Sequence, residues 1–151
     1  MLKTTRRNAD NGSKTKKMKL EHIAIWTNQL DILRGYYEQF FGGKANGKYI
    51  NPTTGFESYF LSFDSGARLE IMSKPHVPNN LNDTIGKQHL GLIHFAFEVG
   101  TMREVEDKAI ELQNKGFQIL RGPRKTGDGY YEFETLDPDN NRLEVQTLFV
   151  P

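Results

Sequence analysis

The amino-acid sequence predicts an α+β fold made of two copies of one strand, helix and three-strand unit (βαβββ). Both halves show the same order of apolar patterns. Two short sequences also recur: His-Ile-Ala-Ile at 22–25 returns as His-Phe-Ala-Phe at 94–97, and Arg-Leu-Glu-Ile at 68–71 returns as Arg-Leu-Glu-Val at 142–145. A long repeat that occurs only twice is typical of a duplicated half-domain and not of a solenoid.

The first unit shows its elements as patterns of apolar residues. Residues 19–26 alternate between apolar and polar, which predicts a strand, and apolar residues at helical spacing over 30–41 predict the helix. The pair Gly42-Gly43 indicates the end of that helix, because glycine readily adopts the left-handed conformation that closes helices. The strands predicted after the helix lie around Tyr49-Ile50, over 58–63 and over 68–73.

The second unit repeats this order. Residues 92–99 alternate as a strand, and Thr101 with Glu104 forms the capping-box pattern that begins a helix. Gly116 indicates the end of this helix. The three strands predicted after it cover 117–121, 130–136 and 142–148.

The length of 151 residues is that of one domain. We expect this domain to cover residues 18–149, with units 18–73 and 91–149 joined by a linker over 74–90. The tail over residues 1–17 holds six basic residues and one acidic residue. We expect this tail to be disordered or a cloning remnant, with an arm for an anionic partner as the alternative.

Composition excludes several classes of protein and site. Outside the tail, 14 basic and 18 acidic residues give a formal net charge of −4, which argues against a nucleic-acid surface. No segment approaches the roughly 18 apolar residues of a membrane helix, and no apolar stretch follows the basic start as in a secretory signal, so we expect a cytoplasmic location. The absence of cysteine excludes disulfides and thiolate metal sites.

A metal site is predicted by two histidines and two glutamates at matching positions of the units: His22, Glu70, His94 and Glu144. A lone histidine in an apolar strand is more often a hydrogen-bonded core residue, and a lone glutamate usually faces solvent. Here the placement repeats, and carboxylates buried close together are costly without a cation. Two imidazoles and two carboxylates suit Zn, Ni, Co, Mn or Fe better than Ca or Mg.

Other polar and aromatic residues are weaker candidates for a substrate pocket. Arg68 and Arg142 precede the glutamates on the same strand face, where they would contact a substrate anion or, as we favour, pair with neighbouring acids. Trp26 and Tyr130 would line a pocket or its rim. The glycine-rich segment 122–131 lacks a phosphate-loop pattern and is expected to form a mobile hairpin loop that could cover the site.

These motifs resemble the vicinal oxygen chelate superfamily, which includes glyoxalase I, bleomycin-resistance proteins and extradiol dioxygenases. The resemblance covers about residues 18–149, and the order His, Glu, His, Glu is most similar to glyoxalase I-like bacterial proteins. It implies that the two βαβββ units form a cupped mixed sheet with a metal on its concave face. It also implies a homodimer, with a site formed within one chain or between two chains.

The resemblance implies a divalent-metal-dependent lyase or isomerase, similar to lactoylglutathione lyase, that moves a proton next to a carbonyl through a metal-bound enediolate. Zn or Ni is the expected metal, and Co, Mn or Fe are alternatives. His22 and His94 would be fixed ligands. Glu144, with Glu70 as its partner, would carry the proton between adjacent carbons.

Two departures from the family pattern bear on the substrate. Trp26 and Lys74 stand where an arginine and an asparagine usually contact glutathione in the family. The substrate could therefore be a small molecule other than a glutathione adduct. A ring-cleaving dioxygenase that uses Fe(II) is one alternative, although it needs only two histidines and one glutamate. A metal-free protein that binds a small molecule or drug is the other.

Overall fold

The computed structural model describes residues 17–151, so the tail predicted over residues 1–17 lies outside the described residues except for Lys17. Within the described part, no helix is long and apolar enough to cross a membrane. The elements in chain order are β1 (His22–Trp26), α1 (Leu30–Phe41), β2 (Lys44–Ala45), β3 (Tyr49–Asn51), β4 (Phe56–Ser62), β5 (Arg68–Ser73), β6 (His94–Glu98), α2 (Met102–Asn114), β7 (Ile119–Lys125), β8 (Tyr130–Leu136) and β9 (Arg142–Leu148).

Each unit forms its own mixed sheet, and the two sheets share one connectivity. The first sheet has the order β1-β5-β4-β2, with β3 paired to β4, and the second has the order β6-β9-β8-β7. In both, the first strand of the unit pairs in parallel with the last, whereas the other pairs are antiparallel. The predicted α+β fold of two repeated units is therefore confirmed. The two-residue strand β2 was not predicted, because it is too short to leave a pattern.

The helix boundaries follow local chemistry. Gly42 ends α1 in the left-handed conformation, with φ of 68°, as its position in the glycine pair predicts. Thr101 is the N-cap of α2, and its hydroxyl oxygen accepts a hydrogen bond from the backbone N–H of Glu104. Gly116 follows α2 with φ of 87°, which agrees with the predicted end of this helix.

The core lies between the helices and one face of each sheet. It is one cluster, to which α1, α2 and strands of both units contribute fully buried side chains such as Leu33, Ile71, Leu112 and Val145. Burial of each such side chain stabilises the fold by about 1.5–3 kcal/mol. Because strand side chains alternate, the residues next to these core positions lie on the opposite face of each sheet.

We call this opposite face the histidine face of each unit. It carries His22 and Glu70 in the first unit and His94 and Glu144 in the second. The histidine faces therefore point away from the shared core, which leaves them accessible to ions and ligands.

Candidate metal centre

Parallel pairing brings one histidine and one glutamate together on each histidine face. Ala24 is the register partner of Glu70, so His22 is its diagonal neighbour, and the second unit repeats this register. The Nε2 atom of His22 lies 3.8 Å from Glu70 Oε2, and that of His94 lies 3.2 Å from Glu144 Oε2. Two donors that each bind one ion at about 2.1 Å stand about 3–3.5 Å apart. The pair in the second unit therefore fits two ligands of one divalent ion, whereas the pair in the first unit would have to close by about 0.3 Å to do so.

A second carboxylate holds the ring of His22. Glu21 Oε2 lies 2.6 Å from His22 Nδ1, and Arg68 donates to the other oxygen of Glu21 at 2.6 Å. The Arg68 guanidinium in turn lies 4.1 Å from the centre of the Phe60 ring. Because an ionised carboxylate only accepts hydrogen bonds, Nδ1 carries the hydrogen in this bond. In the neutral ring, Nε2 then keeps its lone pair towards Glu70, as a metal ligand requires.

The pair His94 and Glu144 lies in different surroundings, because two further carboxylates occupy its face. Within the described residues, Glu132, Glu134 and Glu144 are the one set of three potential metal ligands whose donor atoms all lie within 4.8 Å of one another. Arginines compensate two of them: Arg142 donates to Glu134 at 2.8 Å, and Arg124 donates to Glu132 at 3.0 Å. Glu132 and Glu134 are thus bound in ion pairs with arginines, whereas Glu144 contacts His94.

The electrostatic surroundings favour a proton acceptor at Glu144. Burial raises the pKa of its carboxyl group, and the negative charges of Glu132 and Glu134 raise it further, although the nearby His94 opposes them. A carboxylate with a raised pKa is a stronger base than an exposed one. Glu144 is therefore in surroundings that make it a stronger base than an exposed glutamate.

The chain does not bring its two histidine–glutamate pairs together. No three of the four predicted ligands form a cluster among the described residues. His94 lines a cleft of about 660 Å³ together with Ile23, Arg68 and Leu69 of the first unit. His22 and Glu70 do not line this cleft.

The other predicted pocket residues are spread over both units. Arg68 and Arg142 pair with the neighbouring acids described above. Trp26, at the end of β1, is 43% exposed, and Lys74 Nζ lies 5.9 Å from its ring centre. Tyr130 is half-buried at the start of β8 and shares a face with Glu132. The structure therefore places Trp26 beside Lys74 in the first unit, whereas Tyr130 lies in the second unit.

Five charged residues of these faces were missed by the sequence analysis: Glu21, Arg121, Arg124, Glu132 and Glu134. Glu132 and Glu134 alternate with the buried Phe133, which is a signal that both share one face of the strand. Their partner arginines had no comparable signal, because irregular pairing between β7 and β8 sets their direction.

Comparisons with known proteins agree with this fold. The family model described as Glyoxalase/Bleomycin resistance protein/Dioxygenase superfamily matches residues 19–145. A solved glyoxylase/bleomycin resistance protein/dioxygenase domain from Frankia sp. EAN1pec superposes with a TM-score of 0.71 at 17% identity, covering 88% of this chain and 99% of that one. The trypanothione-dependent glyoxalase I of Leishmania major superposes with a TM-score of 0.66 at 20% identity, covering 85% and 86%.

One curated relative carries a name that states an activity. The biphenyl-2,3-diol 1,2-dioxygenase 3 of Rhodococcus globerulus is 29% identical over 133 residues. The match covers 85% of this chain but only 62% of the relative, so the chain spans less than two thirds of that protein's length.

Proposed function

Because the chain belongs to the Glyoxalase/Bleomycin resistance protein/Dioxygenase superfamily, we propose that it is a divalent-metal-dependent lyase or isomerase of the glyoxalase I type. It would move a proton between carbons next to a carbonyl of a small-molecule substrate. One observation carries this proposal: a histidine nitrogen faces a glutamate oxygen at the same position of both units, at 3.8 Å and 3.2 Å.

The donor set fits one borderline divalent ion. His22, Glu70, His94 and Glu144 would hold it, and two imidazoles with two carboxylates favour Zn or Ni, with Co, Mn or Fe as alternatives. Such an ion, when bound, withdraws electron density from a carbonyl oxygen and so acidifies the neighbouring carbon.

We propose that a second copy of the chain completes the site. The strands β1 and β6 stand at the ends of their sheets, each paired on one side only. Leu20 and Leu92 lie two residues before the two histidines and are 66% and 63% exposed. Exposed apolar residues at equivalent points beside two unpaired edges favour a homodimer, in which β1 of one chain approaches β6 of another.

Within this site, Glu144 is the better candidate for the proton carrier and Glu70 for its partner. Burial and two neighbouring carboxylates raise the pKa of Glu144, whereas Glu70 faces Phe60 across the strand pair. The carboxylate of Glu144 would take the proton from one carbon and return it to the next, and its position next to His94 would keep it beside the reacting carbons.

A second candidate function is a ring-cleaving dioxygenase that uses Fe(II). The dioxygenase from Rhodococcus globerulus at 29% identity favours it. A two-histidine, one-carboxylate set suffices for that chemistry. The fourth ligand would then be surplus, and for this reason we place the dioxygenase second.

The test combines metal analysis with an exchange assay. Protein purified without a metal-binding tag is analysed for bound metals, and then incubated in D₂O with oxo acids, glutathione adducts and acyl thioesters while deuterium incorporation next to the carbonyl is measured. We expect about one Zn or Ni per chain and exchange with at least one substrate class. Iron with oxygen-dependent ring cleavage would replace the proposal with the second candidate, and protein without stoichiometric metal would refute both.

A further inference from the structure

An irregularity in β7 directs two arginines to the histidine face of the second unit. Arg121 is the register partner of Glu134 and Arg124 that of Glu132, with register shifts on either side of Arg121. In a regular strand, residues three apart point to opposite faces. The two residues between them, Gly122 and Pro123, form a bulge that turns both side chains to one face.

The bulge depends on the glycine. Gly122 has φ of 85°, and a Cβ atom at this position would lie 2.5 Å from the carbonyl oxygen of Glu132. No other residue fits this backbone without displacing β8. Bulges of this kind often re-aim side chains beside functional sites, so the placement of the arginines calls for a functional explanation.

The two arginines pair with buried glutamates on one side and are exposed to solvent on the other. Arg124 Nη2 donates to Glu132 Oε1 at 3.0 Å, and Arg121 Nε lies 3.6 Å from Glu134 Oε1. The glutamate side chains are only 9% and 6% exposed, whereas Arg124 and Arg121 are 41% and 49% exposed. Among the described residues, Glu132 is the one hydrogen-bond acceptor of Arg124, and Arg124 Nε is buried without a partner. Because both arginine side chains are partly exposed, their solvent-facing guanidinium nitrogens remain available to a ligand.

The charge on this face changes when a metal binds. Three arginines and three glutamates balance one another there: Arg121, Arg124, Arg142, Glu132, Glu134 and Glu144. A divalent cation held by Glu144 and His94 would leave the face positive. Anions would then be attracted to the exposed guanidinium groups.

We propose that Arg121 and Arg124 form a subsite for a carboxylate group of the substrate. This inference rests on the proposed function and narrows the substrate to oxo compounds that carry a carboxylate a few carbons away from the carbonyl. Two distances limit the separation between the carbonyl and the carboxylate of the substrate. Arg124 lies 3.0 Å from Glu132, and the carboxylate of Glu132 lies within 4.8 Å of that of Glu144. A planar guanidinium matches a carboxylate with two parallel hydrogen bonds.

The test uses levulinate, whose keto group and carboxylate are separated by two methylenes, and its uncharged methyl ester. Binding of both probes to the metal-loaded protein is measured by calorimetry for wild type, Arg124→Gln, Arg121→Gln and Arg124→Lys. The matched control is Lys125→Gln, which removes the same charge from the next residue, whose side chain lies 4.1 Å from the Phe149 ring. Metal content is measured on the same samples.

In the wild type and the Lys125→Gln control, we expect levulinate to bind about tenfold more tightly than the ester, as a charge-assisted hydrogen bond predicts. Arg124→Gln should abolish this preference without weakening the ester, Arg121→Gln should reduce it, and Arg124→Lys should keep part of it. An unchanged preference in Arg124→Gln, or equal losses for both probes, would overturn the subsite. If metal is absent but the preference depends on Arg124, the subsite stands and the metal proposal fails.

Discussion

The two histidine faces present the same histidine–glutamate pair in opposite surroundings. In the first unit, Glu70 faces Phe60 across the strand pair, and Glu21 and Arg68 hold the histidine. In the second unit, Glu144 faces Glu134. The histidine face of the first unit thus has an aromatic neighbour and a histidine bound to Glu21. The histidine face of the second unit is a dense network of carboxylates and guanidinium groups.

This difference indicates a division of roles between duplicated units. The backbone positions of the four proposed ligands match between the units, so the duplication is sufficient for the proposed ligand set. We propose that the surroundings then decide what each glutamate does: burial and carboxylate neighbours make Glu144 a stronger base, whereas Glu70, which faces an aromatic ring, would act as a ligand.

The largest expected effect concerns the two glutamates. Glu144→Gln should slow proton exchange in the substrate by about 10³-fold or more, because the proton acceptor is lost, while much of the metal remains bound. Glu70→Gln should retain more activity. Rates of deuterium incorporation and metal content measure both, with Glu38→Gln, an exposed glutamate on α1, as the control. Full activity of Glu144→Gln would contradict the assignment of the base.

The second prediction compares the two arginine–glutamate pairs. Arg142 and Glu134 are 5% and 6% exposed, whereas Arg68 and Glu21 are 40% and 49% exposed. Glu134→Ala should lower the free energy of unfolding by about 3 kcal/mol, because it leaves a buried guanidinium without its partner. Glu21→Ala should leave the urea midpoint unchanged. Equal midpoints for both variants would show that burial does not distinguish the pairs.

The third prediction concerns the hydrogen bond between Glu21 and His22 Nδ1. Glu21→Ala should weaken metal binding by about tenfold, since loss of the partner of a metal-binding histidine frees its ring. In the metal-free wild type, nitrogen NMR should find the hydrogen of the neutral His22 ring on Nδ1. Glu38→Ala, an exposed glutamate on α1, is the control. If the hydrogen of the wild-type ring were on Nε2, His22 could not donate to Glu21 through Nδ1, and the prediction would be wrong.

The smallest effect is expected where the first unit ties its helix to its sheet. Asp31 accepts hydrogen bonds from Lys48 at 2.9 Å and Tyr59 at 2.8 Å, and these lower its pKa below the ordinary 3.8. A carboxyl group whose pKa is lower in the folded state than in the unfolded state stabilises the fold at pH values above its unfolded-state pKa. This stabilisation is lost as the pH falls through the folded-state pKa. Asp31→Asn should therefore cost about 0.5 kcal/mol at pH 7 and less near pH 2. Denaturation at both pH values, with Asp64→Asn as the control, measures this; an equal cost at both would contradict it.

Most of the fold could be predicted from the sequence because the duplication shows each element twice. The ligand pairs were visible for the same reason, since His22 and His94 begin matching strands. What surrounds them was not visible. The directions of Arg121 and Arg124 depend on a bulge, and the contact between Glu21 and His22 depends on side-chain conformation; neither follows from alternation. The separation of the two pairs depends on how the sheets pack, which local patterns do not encode.

The proposed function depends above all on one metal site shared between two copies of the chain. Coexpression of His22→Ala and His94→Ala chains with different affinity tags allows the mixed dimer to be isolated and its metal counted. A shared site predicts almost no tightly bound metal in either variant alone, and one ion per mixed dimer, because one of its two sites then has all four ligands. A mixed dimer without metal, beside a wild type that binds two ions per dimer, would contradict the shared site.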